Sequence, residues 1–568
     1  MVADIIRDSA LGQIINHLSG GKFLPYADQR PGYIAGTNPY SITAFNNKTS
    51  FFASQATLAG DETKFGAELT REDTLVVVDL EKAKDIAGPD VQASTYDDTN
   101  LIGWMGDDDQ DNPQNWSTKK RAFVAFSICL MTFTMYIGSA IYTPAIPGVV
   151  EEFGVSVTYA TLGLTLYAIG YGIGPMFLTP LQEVAEYGRN AVYIPTFILF
   201  ILCQIPVFTT KDVKTIMAFR FLTGFFGSPA LAVGGASMGD IFPGRQVPYV
   251  IGIWSISAFA GPMTGPVVGG FAAQAEGWRW TLYELLWISG FTLMFLSLFL
   301  PETYGPTILL KRAKRLRKLT GNTQLCTQTE KDTADQTLFK VFKEALALPL
   351  ILAMEPALLF SSVYIGFVYG VLYLWFESFP LVFTDIYGFN LGVTNLPFTG
   401  SIVTAIITYT VYCFYLKCHI EPRTVRAEAA GTPLHAEVRL EIGLMASAFI
   451  PISVLIFGFS AREDVHWIVP TIGAALYLPG IYLNFMSILT YVVFAYPQYP
   501  HAVLTSNDLA RSIIAGIFPL FGRAYFDGLG LAKGSAILAA ISVLLWIVFF
   551  CLYKTGHSLR SRSKYATV

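Results

Sequence analysis

Between Gly252 and Gly270 the chain places Gly252, Gly261, Pro262, Gly265, Pro266, Gly269 and Gly270 in a stretch that is otherwise apolar and uncharged. In a water-exposed helix each interior glycine costs about 1 kcal/mol and each proline about 3 kcal/mol. Such a cluster therefore excludes an ordinary soluble helix. A membrane span tolerates these residues, because neighbouring helices and local adjustments satisfy the freed backbone groups. Gly261, Gly265 and Gly269 recur every fourth residue, so they share one face and let a second helix come close. Pro262 and Pro266 bend the same segment. The plainer alternative is a tightly packed span with no part in function.

Composition points to the same medium. Hydrophobic residues make up 53% of the 568 residues and charged ones 14%, against roughly 25% charged in a soluble protein. The net charge of −4 gives no reason to expect a nucleic-acid partner. Of the six cysteines, four fall in apolar segments and Cys326 and Cys418 in basic loops, so no disulfide framework is implied. Cys413 and Cys418 lack zinc spacing, and no metal site is expected.

Twelve segments are long enough to cross about 30 Å of hydrocarbon: about 123–143, 160–179, 191–209, 215–237, 248–272, 281–300, 353–376, 394–416, 442–460, 467–490, 502–522 and 535–553. The expected fold is an all-α membrane protein of two six-helix bundles, 111–300 and 351–553, joined by a central loop at 301–350. Basic clusters at Lys119–Arg121, Lys311–Lys318, Lys417–Arg426 and Lys554–Lys564 fall on one side if both termini are cytoplasmic. Residues 554–568 then form a short cytoplasmic tail. Residues 1–110 are polar, lack the apolar core of a signal peptide, and read as a mostly disordered cytoplasmic tail. Within it Ile6, Ala10, Ile14 and Leu18 fall on one helical face. That element lies on the membrane surface, packs on the transporter body, or is only weakly structured.

Several polar residues sit where apolar ones are cheaper. Arg220 lies inside the fourth segment, at an insertion cost of about 2.5–3.5 kcal/mol, so it faces the bundle interior with a nearby acid or water, or snorkels to an interface. Glu284 in the sixth segment and Glu377 at the end of the seventh are membrane acids outside the eleventh segment. Glu183, Gly188 and Arg189 form a turn between the second and third segments, able to act as a charge latch against a neighbouring helix end. In the seventh segment Tyr364, Tyr369, Tyr373, Trp375 and Phe376 crowd together before Glu377, which is placed near the outer mouth of a cavity. Aromatic rings with polar tips suit flat, varied, apolar ligands, although a stripe of this kind also serves packing. Asp508 and Arg511, at i and i+3 in the eleventh segment, are spaced to pair on one face, as part of the site or as a structural ion pair at the cytoplasmic end.

The spacing G-x8-G-x3-G-P-x2-G-G resembles the fifth-helix antiporter motif of major facilitator superfamily exporters, and every position is filled. Pro180-Leu181-Gln182-Glu183 through Gly188-Arg189 resembles the superfamily's loop motif in its fungal form. It departs from that form at Gln182 and by an altered spacing at Ala185-Glu186. Ala218-Phe219-Arg220-Phe221 resembles the fourth-helix arginine motif. Asn112-Pro113-Gln114-Asn115-Trp116, Trp278-Arg279-Trp280, Pro301-Glu302-Thr303 and Phe518-Pro519-Leu520-Phe521 extend the likeness over about 110–565.

Together these stretches are similar to the fungal twelve-spanner drug:proton antiporters. The resemblance implies a monomeric plasma-membrane exporter of structurally diverse hydrophobic or amphipathic drugs and toxins, driven by protons and not an enzyme. It also implies proton coupling through Arg220, Asp508 and Glu377 and a substrate cavity lined by the seventh-span aromatics. No cofactor is expected, and no G-x4-G-K-[ST] loop is present for ATP. The alternatives are export of a metabolite such as a polyamine or organic acid, or a non-transporting nutrient receptor on the same fold. The filled glycine motif and Arg220 argue against the receptor.

Overall fold

The computed structural model describes residues 2–19, 22–26, 100–105, 109–333, 338–431 and 434–566. Most of the polar tail expected over 1–110 lies outside these residues. Among the described residues the chain is helical, apart from two isolated bridges, Ser9 with Pro301 and Leu101 with Cys326. Eleven helices among the described residues are long and apolar enough to cross a membrane. A twelfth long helix, Pro500–Leu529, has 30 residues and carries the polar run Ser506-Asn507-Asp508 and Arg511-Ser512. These twelve, counted in chain order, are called spans below. They run past the expected limits: the fifth covers Val247–Glu276 and the twelfth Leu531–Arg560.

The outward faces invert the rule for soluble proteins. Trp287, Phe291 and Met294 of the sixth span, Ile406 and Ile407 of the eighth, and Leu544 and Ile547 of the twelfth are all exposed. This is the apolar belt that a lipid environment requires. Small residues make the interior. Gly261 meets Tyr136 and Ile137 of the first span, where an added Cβ would stand 2.7 Å from Tyr136 Cβ. Gly265 would set a Cβ 2.8 Å from Ile141 N, and Gly269 one 2.7 Å from Ile141 O. The shared glycine face is thus a groove that receives the first span, with backbone against backbone.

On the side carrying both termini, the central segment folds into helices Gly305–Thr320, Gln328–Thr333 and Leu338–Leu352. The N-terminal stretch packs there, but not by the stripe at 6, 10, 14 and 18. Ser9 ends one helix and caps the next, its Oγ accepting from Gly12 N at 3.1 Å. The helical register is therefore broken between Asp8 and Ala10. Ile5, Ser9, Gly12 and Asn16 are buried, whereas Leu11, Ile14 and Leu18 are exposed. Glu302 N donates to Asp8 O at 3.2 Å, and Lys311 Nζ donates to Gln13 Oε1 at 2.7 Å. Beside them Arg312 is buried and donates to both Asp109 oxygens (2.7 and 3.0 Å) and to Asp111 at 2.6 Å. Burial pushes the Asp109 carboxyl up. The Arg312 hydrogen bonds and the N–H groups of Met105 and Asp111 outweigh it and hold the carboxyl below the usual carboxylate range.

A folded-state carboxyl held low stabilises above its unfolded value and loses that contribution as pH falls through the folded one. Asp109→Asn should loosen the segment at 100–116 at neutral pH, read as faster proteolysis there, and in wild type acid should do the same. Replacing Gly265 with Leu overpacks the groove and should cost about 1–3 kcal/mol, read as a lower melting temperature of the purified protein.

Candidate transport site and gates

The bundles meet on a cluster drawn from six spans. Arg511 of the eleventh span donates through Nη2 to Asp508 and, at 3.4 Å, to the hydroxyl of Tyr136 in the first span. Its guanidinium lies 4.5 Å from the ring centre of Tyr369 in the seventh span and 5.3 Å from that of Phe485 in the tenth. Phe259 of the fifth span packs against both rings, tilted on Tyr369 at 5.5 Å and edge-on to Phe485 at 5.9 Å. Tyr373 reaches Ser139 at 3.2 Å and Tyr171 of the second span at 3.4 Å. Every residue in this set is buried. Asp508 Oδ2 and Arg511 Nε and Nη1 are buried without a hydrogen-bond partner. Each neutral group left so costs about 1–3 kcal/mol, and charged ones cost more. The charge at the centre of this aromatic cluster is thus only partly met by hydrogen bonds.

Arg220 is placed differently. It is fully buried, and among the described residues no carboxylate reaches it, neither Glu284 nor Glu377. It donates instead to the carbonyls of Gly138 (2.9 Å), Ser139 (3.2 Å) and Gly163 (3.0 Å). Tyr142 and Tyr167 flank the guanidinium at 4.6 Å each. Gly138 and Ser139 stand in the last turn of the helix Thr118–Ala140, where carbonyls lack an intrahelical partner and a cation complements the helix dipole. The charge is met by helix-end carbonyls and aromatic faces, so the acid partner anticipated for it is not needed.

The seventh-span aromatics divide. Tyr369 and Tyr373 face the other bundle, and Phe376 packs on Phe398 at 5.4 Å. Tyr364 turns into the second bundle, donating to Ser447 Oγ at 2.7 Å and stacking on Phe549. Trp375 packs on Tyr477 and Phe457 in the same interior. The seventh span has the first bundle on one side and its own bundle's interior on the other, and this divides the stripe.

The latch residues also divide. Arg189 Nε pairs with Asp240, at the end of the fourth span, at 3.2 Å, and its guanidinium lies 4.8 Å from the Tyr304 ring centre. Burial works against the Arg189 charge, but Asp240 outweighs it and holds the group above its ordinary value. Glu302 accepts from the N–H groups of Arg189 (3.1 Å) and Asn190 (3.2 Å) at the start of the third span, where a carboxylate suits the helix dipole. Gly188 has φ 75°, and a Cβ there would stand 2.6 Å from Thr307 Oγ1. Glu183 instead meets His501 of the eleventh span at 2.9 Å, across the bundles.

Further crossings close both ends. On the termini side Tyr249 donates to Glu421 at 2.8 Å and Arg245 to Glu428 at 2.7 Å. Nearer the termini side Tyr482 donates to Gly252 O at 3.0 Å, and in mid-membrane Thr165 donates to Gly516 O at 2.6 Å while a Cβ on Gly172 would stand 2.5 Å from Ser512 Cβ. On the opposite side Gly392 N donates to Gln274 at 2.8 Å and Thr161 to Glu377 at 3.4 Å. Gly252 and Gly270 serve this interface rather than the first-span groove: Gly252 faces Tyr409, and Gly270 faces Leu391 and Asn395. The conformation is occluded. Sequence reasoning passed over Asp240, His501, Tyr136, Tyr171 and Phe485. An acid ending an apolar span was a visible signal for Asp240; single aromatics in an aromatic-rich chain gave none.

Asp240→Asn leaves Arg189 buried without its counter-charge, a loss of about 3–5 kcal/mol. The melting temperature should fall more for Asp240→Asn than for the double replacement Arg189→Leu with Asp240→Leu. Equal or additive losses would show that the pair is not coupled.

Residues 128–519 match the family model described as Major Facilitator Superfamily. The chain is 41% identical over 473 residues to "Transporter mfs1" of Schizosaccharomyces pombe, covering 82% of this chain and 88% of that one. It is 35% identical over 576 residues to the "Cycloheximide resistance protein" of Candida maltosa, covering 100% of both. Among solved structures, the proton:xylose symporter XylE bound to 6-bromo-6-deoxy-D-glucose aligns with a TM-score of 0.54 at 12% identity, covering 77% of this chain and 97% of that one, a likeness of fold alone. With two bundles closing on a central polar site and a family match over most of the spans, this chain belongs to the major facilitator superfamily.

Proposed function

We propose that this chain is a proton-coupled antiporter that exports structurally diverse hydrophobic or amphipathic toxic compounds by alternating access. It acts as a monomer in the plasma membrane with both termini in the cytosol. The observation that carries this reading is the buried Asp508–Arg511 pair, half unsatisfied, inside a cage of Tyr136, Tyr171, Phe259, Tyr369, Tyr373 and Phe485. Aromatic walls bind flat apolar molecules with little demand for directional hydrogen bonds, which fits a broad substrate range. The name of the Candida maltosa relative, a cycloheximide resistance protein, supports the same direction.

Coupling follows from competition for one carboxylate. With Asp508 ionised and bound to Arg511, the cage accepts substrate. A proton arriving from the outside neutralises Asp508, weakens its hold on Arg511 and frees the guanidinium for the tyrosine hydroxyls. Release of that proton to the cytosol resets the pair. Arg220 acts as a positioning residue: by holding the end of the first helix to the second and fourth spans, it fixes Ser139 and Tyr142 beside the cage. Gly252 and Gly270 let the fifth span roll against the second bundle, and the Arg189–Asp240 pair with Glu183–His501 biases the termini-side gate.

The test is purified protein in proteoliposomes with an imposed pH gradient. Asp508→Asn should abolish uphill efflux and retain downhill exchange. Arg220→Ala should reduce efflux at least tenfold, the effect of about 1.4 kcal/mol, and Arg220→Lys should retain part of it, because lysine keeps the charge and loses the planar fork. Binding without flux in the wild type would favour a receptor. Uphill efflux by Asp508→Asn with wild-type pH dependence would place the coupling site elsewhere.

A further inference from the structure

The helix Ala10–Leu18 turns its apolar face outward. Leu11, Ile14, Ile15 and Leu18, at i, i+3, i+4 and i+7, form one stripe. All four are exposed, Ile14 at 55% and Leu18 at 80%. This is not the stripe counted across Ser9, with which it shares only Ile14 and Leu18. The small and polar residues do the docking. Gly12 and Asn16 are buried, and an added Cβ on Gly12 would collide with the Ile6 carbonyl. Gln13 Nε2 donates to Asp8 O at 2.9 Å. Asn16 Nδ2 donates to Phe23 O at 3.3 Å and to Leu24 O at 2.8 Å. These bonds fold the following segment back on the helix and leave Phe23 69% exposed.

The position of the helix says what covers that stripe. Ser9 bridges Pro301, just past the end of the sixth span, and the helix packs beside the third and sixth spans. Both spans carry lipid-facing residues on their outward sides, Leu199 and Leu202 on the third and Trp287 and Phe291 on the sixth. The stripe therefore stands at the termini-side edge of the apolar belt and continues it. Charge is arranged to match. Lys311, which holds Gln13, shares its helix face with Lys314 and Lys318, and these two are exposed, as is Lys22. Such a row of ammonium groups suits anionic headgroups. We propose that Leu11, Ile14, Ile15 and Leu18 lie in the bilayer leaflet on the termini side, making this helix an in-plane lipid anchor docked to the transporter by its polar face. Asp8 O takes the N–H of Glu302, whose carboxylate caps the third span, so the anchor holds the turn that carries Arg189. It is independent of what the chain transports.

The experiment is photocrosslinking of the full-length protein in nanodiscs of phosphatidylcholine and phosphatidylserine, with p-benzoylphenylalanine placed at position 14 and, separately, at position 18. Mass spectrometry should find lipid adducts at both. Crosslinks that run to a second copy of the chain, or to another segment of the same chain, with lipid adducts absent at both positions, would overturn the proposal. A second measurement does not depend on the probe. Trypsin cleavage after Arg7, whose side chain is only 13% exposed, reports opening of the docked segment. In nanodiscs, Ile14→Ser combined with Leu18→Ser should speed that cleavage about tenfold, the factor given by about 1.4 kcal/mol of lost apolar burial. A face that stands in water would lose nothing by the change, so an unaltered cleavage rate would equally sink the anchor.

Discussion

The structure depends on how buried arginines are satisfied where no water is at hand. Arg220 gives three hydrogen bonds to backbone carbonyls of two neighbouring spans, two of them at a helix end that has carbonyls to spare. It needs no acid, and its ties hold the first, second and fourth spans as one body. Arg511 makes the opposite arrangement. It has one carboxylate, one distant hydroxyl and two aromatic faces, and two of its nitrogens have no partner. One arginine is a finished joint within a bundle. The other is an unfinished one between bundles, and unfinished polar joints are where a ligand or a proton gains most.

The same division runs through the fifth span. Gly261, Gly265 and Gly269 bring its backbone against the first span, a contact that holds one bundle together. Gly252 and Gly270, near its two ends, meet Tyr409 and the turn at Leu391 in the other bundle. A motif that reads as one line of glycines is two surfaces, one within a bundle and one between the bundles. Across the partner interface, Gly172 on Ser512 and Thr165 on Gly516 give the second and eleventh spans a similarly smooth seam. Small residues bring the backbones close along these seams, while charged and hydrogen-bonded pairs such as Glu183–His501 and Gln274–Gly392 cross between the bundles at the two faces.

The termini-side collar connects to the same machinery. Glu302 caps the third span through Arg189 and Asn190, and its own N–H bonds Asp8 of the N-terminal segment. The turn that carries Arg189 is thereby tied to residues more than a hundred positions away in either direction. Spacing within the turn is not what fixes its partners. Arg189 finds Asp240 because the fourth span ends beside it, and Glu183 finds His501 because the eleventh span begins there.

The sequence by itself determined the medium, the helical class and the number of long helices, because apolar runs of span length have one stable form in lipid. It also determined the face of Gly261, Gly265 and Gly269, since helical periodicity alone puts them in line, but it left Arg220 open between the bundle interior and an interface, and the structure buries it. Only the tertiary structure decided what each polar residue meets. Local spacing places Asp508 and Arg511 on one face, but that this face looks into an aromatic cage depends on spans hundreds of residues apart. The stripe from Tyr364 to Phe376 is continuous in sequence, yet Tyr364 and Trp375 are core while Tyr369 and Tyr373 face the other bundle, because a buried helix has more than one neighbour. The break at Ser9 shifted the docked face of the N-terminal segment for a related reason: a cap restarts the register, and periodicity counted across it joins residues that no single helix holds together.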